Sequence, residues 1–132
     1  MLQKSWIFIA LILPSFMAWT QPDPITCPSV QDIKEQDWIE WQPLYIEGEE
    51  LASYQDVETF KKHVTRFTVA KWSATYLESG HCFYQGTDPI LDRIVYAHDA
   101  WQPVTNTIWS WLFPGKYAEC RSEHVEDCSF IL

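Results

Sequence analysis

"RFTVAKWSATYLESGHCFYQG" (Arg66–Gly86) decides how this chain is read. From Ala70 onward, Ala70, Trp72, Ala74 and Tyr76 alternate with Lys71, Ser73 and Thr75. A period of two, apolar on one face and polar on the other, marks a half-buried antiparallel strand. "LESG" (Leu77–Gly80) then supplies a turn, and "HCFYQ" (His81–Gln85) reads as the return strand. The pair predicts a β-hairpin, with Trp72 in the core.

Shorter elements surround it. "WIEWQPLYI" (Trp38–Ile46) is β-favouring, and Pro43 assigns it to an edge strand or to two short pieces. In "SYQDVETFKKHV" (Ser53–Val64), Ser53 stands three residues before Asp56 as a cap. Val57, Phe60 and Val64 then share a face, which predicts one short helix. After the break at "GTDP" (Gly86–Pro89), strands are expected in Ile90–Trp101, Thr107–Phe113, Lys116–Ser122 and Cys128–Leu132. "QPDPITCP" (Gln21–Pro28) reads as an irregular lead-in and "QPVTN" (Gln102–Asn106) as a turn. The expected fold is mainly β: a small, disulfide-stabilised antiparallel β-sandwich or barrel with one short helix.

The N-terminus reads as an export signal. Lys4 precedes the uncharged run "WIFIALILPSF" (Trp6–Phe16), which has the length of a signal-peptide core and is too short to span a bilayer. Cleavage after Ala18 or Thr20 makes 1–20 the signal and 21–132 a single exported domain, secreted or periplasmic. The domain keeps eight of the chain's nine basic residues and all 18 acidic ones, a net charge of −10. Such a balance repels nucleic acid and anionic membranes. Nothing in 21–132 is long and apolar enough for a transmembrane segment.

Four cysteines in an exported chain read as two disulfides with three possible connectivities. Cys120 and Cys128 are close enough to close a small loop, and the preferred pairing is therefore Cys27–Cys82 with Cys120–Cys128. No C-x-x-C spacing supports a metal site, and no cofactor is expected.

Recognisable catalytic motifs are missing. The chain has no G-x-S-x-G, no H-E-x-x-H and four glycines in all, too few for a phosphate-cradling loop. His63, His81, His98 and His124 are isolated from one another. A binding domain, not an enzyme, is the expectation. The alternatives are a small secreted hydrolase using paired carboxylates among Asp88, Asp92 and Asp99, or an inhibitor-like or structural envelope protein.

Two features mark candidate binding residues. Lys61, Lys62 and Arg66, with Lys71, form a basic stretch with no acid between Glu58 and Glu78. A solvated helix-to-strand junction explains it, and a polar site for an anionic ligand or acidic partner is the functional alternative. "IWSWLFPG" (Ile108–Gly115) contributes Trp109 and Trp111, which with Trp101 could stack on a carbohydrate or anchor a protein partner. Ile108, Ser110 and Leu112 make the other face largely apolar too. The expectation is a central strand with Trp109, Trp111 and Phe113 mostly buried.

The "CP" at Cys27–Pro28, the strand with Trp38, "F-x-x-A-x-W" (Phe67, Ala70, Trp72) and "G-x-C-x-Y" (Gly80, Cys82, Tyr84) form a pattern over residues 27–85. It resembles an uncharacterised family of small exported, disulfide-bonded bacterial proteins, familiar from intracellular gammaproteobacterial pathogens. The resemblance implies a secreted or periplasmic domain of unknown function with no catalytic residues to carry over, and a virulence-associated interaction protein is among the functional expectations.

Overall fold

The computed structural model describes residues 23–37, 40–74, 79–99, 102–104 and 108–131. The expected signal segment 1–20, Trp38 and Trp101 lie outside them. Two helices and nine strands occur among the described residues. In chain order these are β1 (Ile25–Thr26), α1 (Val30–Lys34), β2 (Gln42–Tyr45), α2 (Tyr54–His63), β3 (Val64–Ser73) and β4 (Ser79–Gly86). There follow β5 (Ile94–Asp99), β6 (Gln102–Pro103), β7 (Ser110–Phe113), β8 (Tyr117–Arg121) and β9 (Ser129–Ile131), with single 3-10 turns at Pro89–Asp92 and Val125–Asp127.

The strands make two open antiparallel sheets, a sandwich and not a closed barrel. One is six-stranded, in the order β2-β5-β4-β3-β8-β7; the other is three-stranded, β1-β9-β6. The hairpin is the long central pair, with Ala70 opposite Cys82 and Trp72 opposite Gly80. It begins earlier than the alternation showed, because α2 passes directly into β3 at Val64.

The inner face of the large sheet carries the core. Phe67, Ala70, Trp72, Cys82, Tyr84, Ile94, Tyr96 and Cys120 are all buried, beneath Ile33 of α1, Phe60 of α2 and Phe130 of β9. Tyr84 makes edge-to-face contacts with Phe60, Phe67 and Tyr96 at ring-centre distances of 5.7–5.8 Å. Such contacts add to the area that the rings bury. Gly80 lets the small sheet approach, since a Cβ there would stand 2.7 Å from the Phe130 ring. Ser53 caps α2 by accepting from the Asp56 amide at 3.2 Å, as its sequence predicts.

Both disulfides form as preferred, Cys27–Cys82 and Cys120–Cys128, with Cα separations of 5.8 and 5.7 Å. Pro43 does lie in an edge strand, β2.

Three expectations need correcting. The lead-in holds a short strand, and α1 follows it under a reciprocal Ser29–Asp32 cap. Gln102–Pro103 pairs with β9 and is not simply a turn. Most consequentially, β7 is not central. It is the outermost strand of the large sheet, and all four of its residues are exposed.

Candidate functional site

Alternation leaves the other face of the large sheet uncovered. One cross-strand row runs Gln42, Ala97, His81, Lys71, Glu119, Ser110 through all six strands. A neighbouring row runs Asp99, Ser79, Ser73, Tyr117, Phe113. Leu44 and Val95 pair beside them. The turn after β2 (Ile46, Gly48, Glu49), and Phe113 of β7 with Lys116 of the turn that follows, line opposite edges of this face. Between them lies a groove of about 890 Å³. Its floor is His81, Phe83, Lys71, Ser73 and Val95. A concave, mostly apolar site with a few convergent polar groups is the usual form of a small-ligand pocket.

The polar groups of this face are linked. Tyr117 donates to Glu119 Oε1 at 2.7 Å, Arg121 Nη2 lies 3.2 Å from Oε2, and Lys71 Nζ lies 3.7 Å from Oε1. The Tyr117 hydrogen bond holds the Glu119 carboxyl below its ordinary range, against the opposing effect of burial, and Lys71 and Arg121 add to the lowering. Burial, followed by the bond to Glu119, pushes the Tyr117 hydroxyl up to about 12. Lys71 Nζ also sits 4.8 Å from the Phe83 ring centre, a cation–π contact. Burial lowers the pKa of His81, only partly offset by Glu49 and Asp99, which favours the neutral ring at neutral pH.

The sequence-chosen residues are not gathered in this groove. Lys61 pairs with Glu58 at 3.3 Å on α2. Arg66 binds the Gln85 side chain through Nε at 2.9 Å and lies 3.5 Å from Glu123. Lys62 is exposed on α2, so the basic stretch is a solvated junction in which Lys61 and Arg66 are partnered separately. Lys71 alone of that stretch reaches the groove.

Trp109 and Trp111 form no common platform. Trp109 is half-buried on Phe130, with ring centres 5.0 Å apart, and donates from Nε1 to the Ser129 carbonyl at 3.0 Å. Trp111 leans edge-on against Trp72 at 5.6 Å and is 38% exposed. The open apolar groups of the stretch are Ile108, Leu112 and Phe113, and Phe113 is the one that enters the groove wall. Trp101 lies outside the described residues.

The acids chosen for a hydrolase have separate surroundings. Asp88 caps the Pro89–Asp92 turn through the Ile90 amide at 2.9 Å. Asp92 borders a smaller depression with Arg93, and Asp99 ends β5 on the outer face. His98 bonds Glu40 at 3.1 Å on the sheet's other side from its neighbour Asp99. No cluster of three or more His, Cys, Asp or Glu side chains among the described residues is placed to hold a metal ion.

Set against family models, curated proteins and solved structures, the chain shows no match. The residues carrying the exported-family resemblance that fall in the described part, Cys27, Pro28, Phe67, Ala70, Trp72, Gly80, Cys82 and Tyr84, are all buried. They report on packing and carry no site with them. His81, Glu119, Tyr117 and Lys116, which build the outer face, were missed by motif reading. The available signal was the polar half of the strand alternation, Lys71 and Ser73, which marks the face that the core leaves free.

Proposed function

We propose that this protein is an exported binding domain that takes its ligand on the outer face of the six-stranded sheet. The observation that carries this reading is the uncovered groove itself. One face of the sheet is sealed by helices and the second sheet, while the other holds Leu44, Phe83 and Phe113 around a concavity floored by buried Val95. Apolar surface held open to water costs free energy unless a ligand covers it. The aromatic contacts come from Phe83, Phe113 and Tyr117 and not from Trp109 or Trp111. This favours an apolar ligand over a carbohydrate stacked on tryptophan.

Binding without catalysis fits the polar groups as well. Glu119 is engaged by three partners, which leaves it poorly suited to moving a proton. Export fits the two disulfides, which persist in oxidising compartments. No helix among the described residues is long and apolar enough to cross a membrane.

Titration with the neutral apolar dye N-phenyl-1-naphthylamine tests the reading. Saturable, one-to-one fluorescence enhancement is expected. Phe113→Asp and Ile46→Asp, both at exposed wall positions, should abolish it while leaving the thermal melt within a few degrees. A silent dye, or dye binding that survives both substitutions, overturns the assignment.

A further inference from the structure

We propose that the outer-face groove is a site for a small amphiphilic anion, a carboxylate on an apolar chain. Its head would lie at Lys116 and Lys71 and its chain along Phe83, Val95 and Leu44. This rests on the reading of that face as the ligand surface and adds the chemical class of the ligand.

Charge is the first argument. The whole chain has nine basic against 18 acidic residues. The groove evens that balance: Lys71 and Lys116 stand against the lining acid Glu49 and against Glu119, which Lys71 and Tyr117 contact. Lys71 is already committed, 3.7 Å from Glu119 and over the Phe83 ring. Lys116 is different: its ammonium meets no carboxylate within 4.0 Å among the described residues. An acidic protein that places an unpartnered cation on the wall of an apolar groove offers an anion a local attraction that the rest of its surface lacks.

Shape is the second argument. Residues of the two turns line the groove, and its volume of about 890 Å³ falls within the range of small-molecule sites, roughly 300–1,000 Å³. The apolar floor beyond Lys71 suits a chain and not a compact inorganic ion, which would leave the half-buried Phe83 and Leu44 in water. His81, between Lys71 and Ala97 in the cross-strand row, adds a hydrogen-bonding ring at the centre of the floor.

The test compares decanoate, decanol and decylamine by calorimetric titration, each below its aggregation concentration. Decanoate is expected to bind about ten-fold more tightly than decanol, with decylamine weakest, and the preference should shrink as salt rises. Lys116→Gln and Lys71→Gln should each weaken decanoate several-fold and leave decanol unchanged. Equal affinities for decanoate and decanol, or a decanoate preference that survives both lysine substitutions, overturn the anionic assignment. The groove reading then still stands if the neutral dye binds and Phe113→Asp removes it. If no amphiphile binds and the dye is silent as well, both readings fall.

Discussion

Glu119 and Tyr117 show how two ordinary surface residues become a coupled unit. The hydrogen bond between them favours carboxylate on one side and neutral phenol on the other. In the unfolded chain a tyrosine ionises near pH 10, whereas Tyr117 in the fold waits until about 12. Its folded pKa is raised, so its contribution to stability is complete below about pH 10 and is lost as pH rises through the folded value. Tyrosinate absorbance of the folded protein should therefore include a late step near pH 12 that Tyr117→Phe removes. The same variant should shift the Glu119 side-chain NMR titration upward, towards the ordinary carboxylate range. Gly86 gives a second prediction at this scale. A Cβ there would meet the His63 carbonyl oxygen at 2.0 Å, and backbone cannot rotate away as a side chain can. Gly86→Ala should cost about 2–3 kcal/mol in urea unfolding, as overpacking does. Neither effect is legible in sequence. Tyr117 and Glu119 are two apart in β8, but Lys71 joins them through strand register, and Gly86 reads as a mere chain break. The cysteine pairing and Trp72 were legible, because spacing and alternation act locally.

At the scale of elements, β7 teaches most. Its apolar character on both faces is real, and in a central strand it would mean burial from both sides. Here Trp111 covers Trp72 at the border of the core while Phe113 forms a groove wall. An edge strand beside a ligand groove thus copies the signature of a buried one. Periodicity puts Trp111 and Phe113 on one face, but the register shift between them sends them to opposite faces, and periodicity does not report how many strands lie beyond. Trp109→Ala should cost about 3 kcal/mol, since it removes the ring from Phe130 and the Ser129 bond. Leu112→Ala, at a 53% exposed position, should cost no more than about 0.5 kcal/mol. Similar losses for the two in urea melts would mean that β7 is packed on both sides after all. α2 was legible from its cap and apolar face. α1 escaped because five residues are too few for periodicity, although its Ser29–Asp32 cap was visible in the sequence.

Over the whole molecule, two covalent ties hold different amounts of chain. Cys27–Cys82 closes a separation of 55 residues and Cys120–Cys128 one of eight. Chain entropy makes the longer loop the stronger constraint on the unfolded state, by about 4 against about 2.5 kcal/mol. Replacing both cysteines of each pair with serine should rank the two variants in that order in urea denaturation. The class of fold was legible because short strands, turns and paired cysteines add up in any arrangement. The order of strands was not, and strand order is what leaves one sheet face bare. The small sheet has a further consequence, in time. Its middle strand, β9, is also its last in sequence, so β1 and β6 have no neighbour in that sheet until β9 arrives. A chain emerging from its N-terminus can assemble the β3–β4 hairpin early, but it holds its first strand waiting for its last. Shortening the protein by the few residues of β9 would therefore leave both β1 and β6 without a partner in that sheet at once.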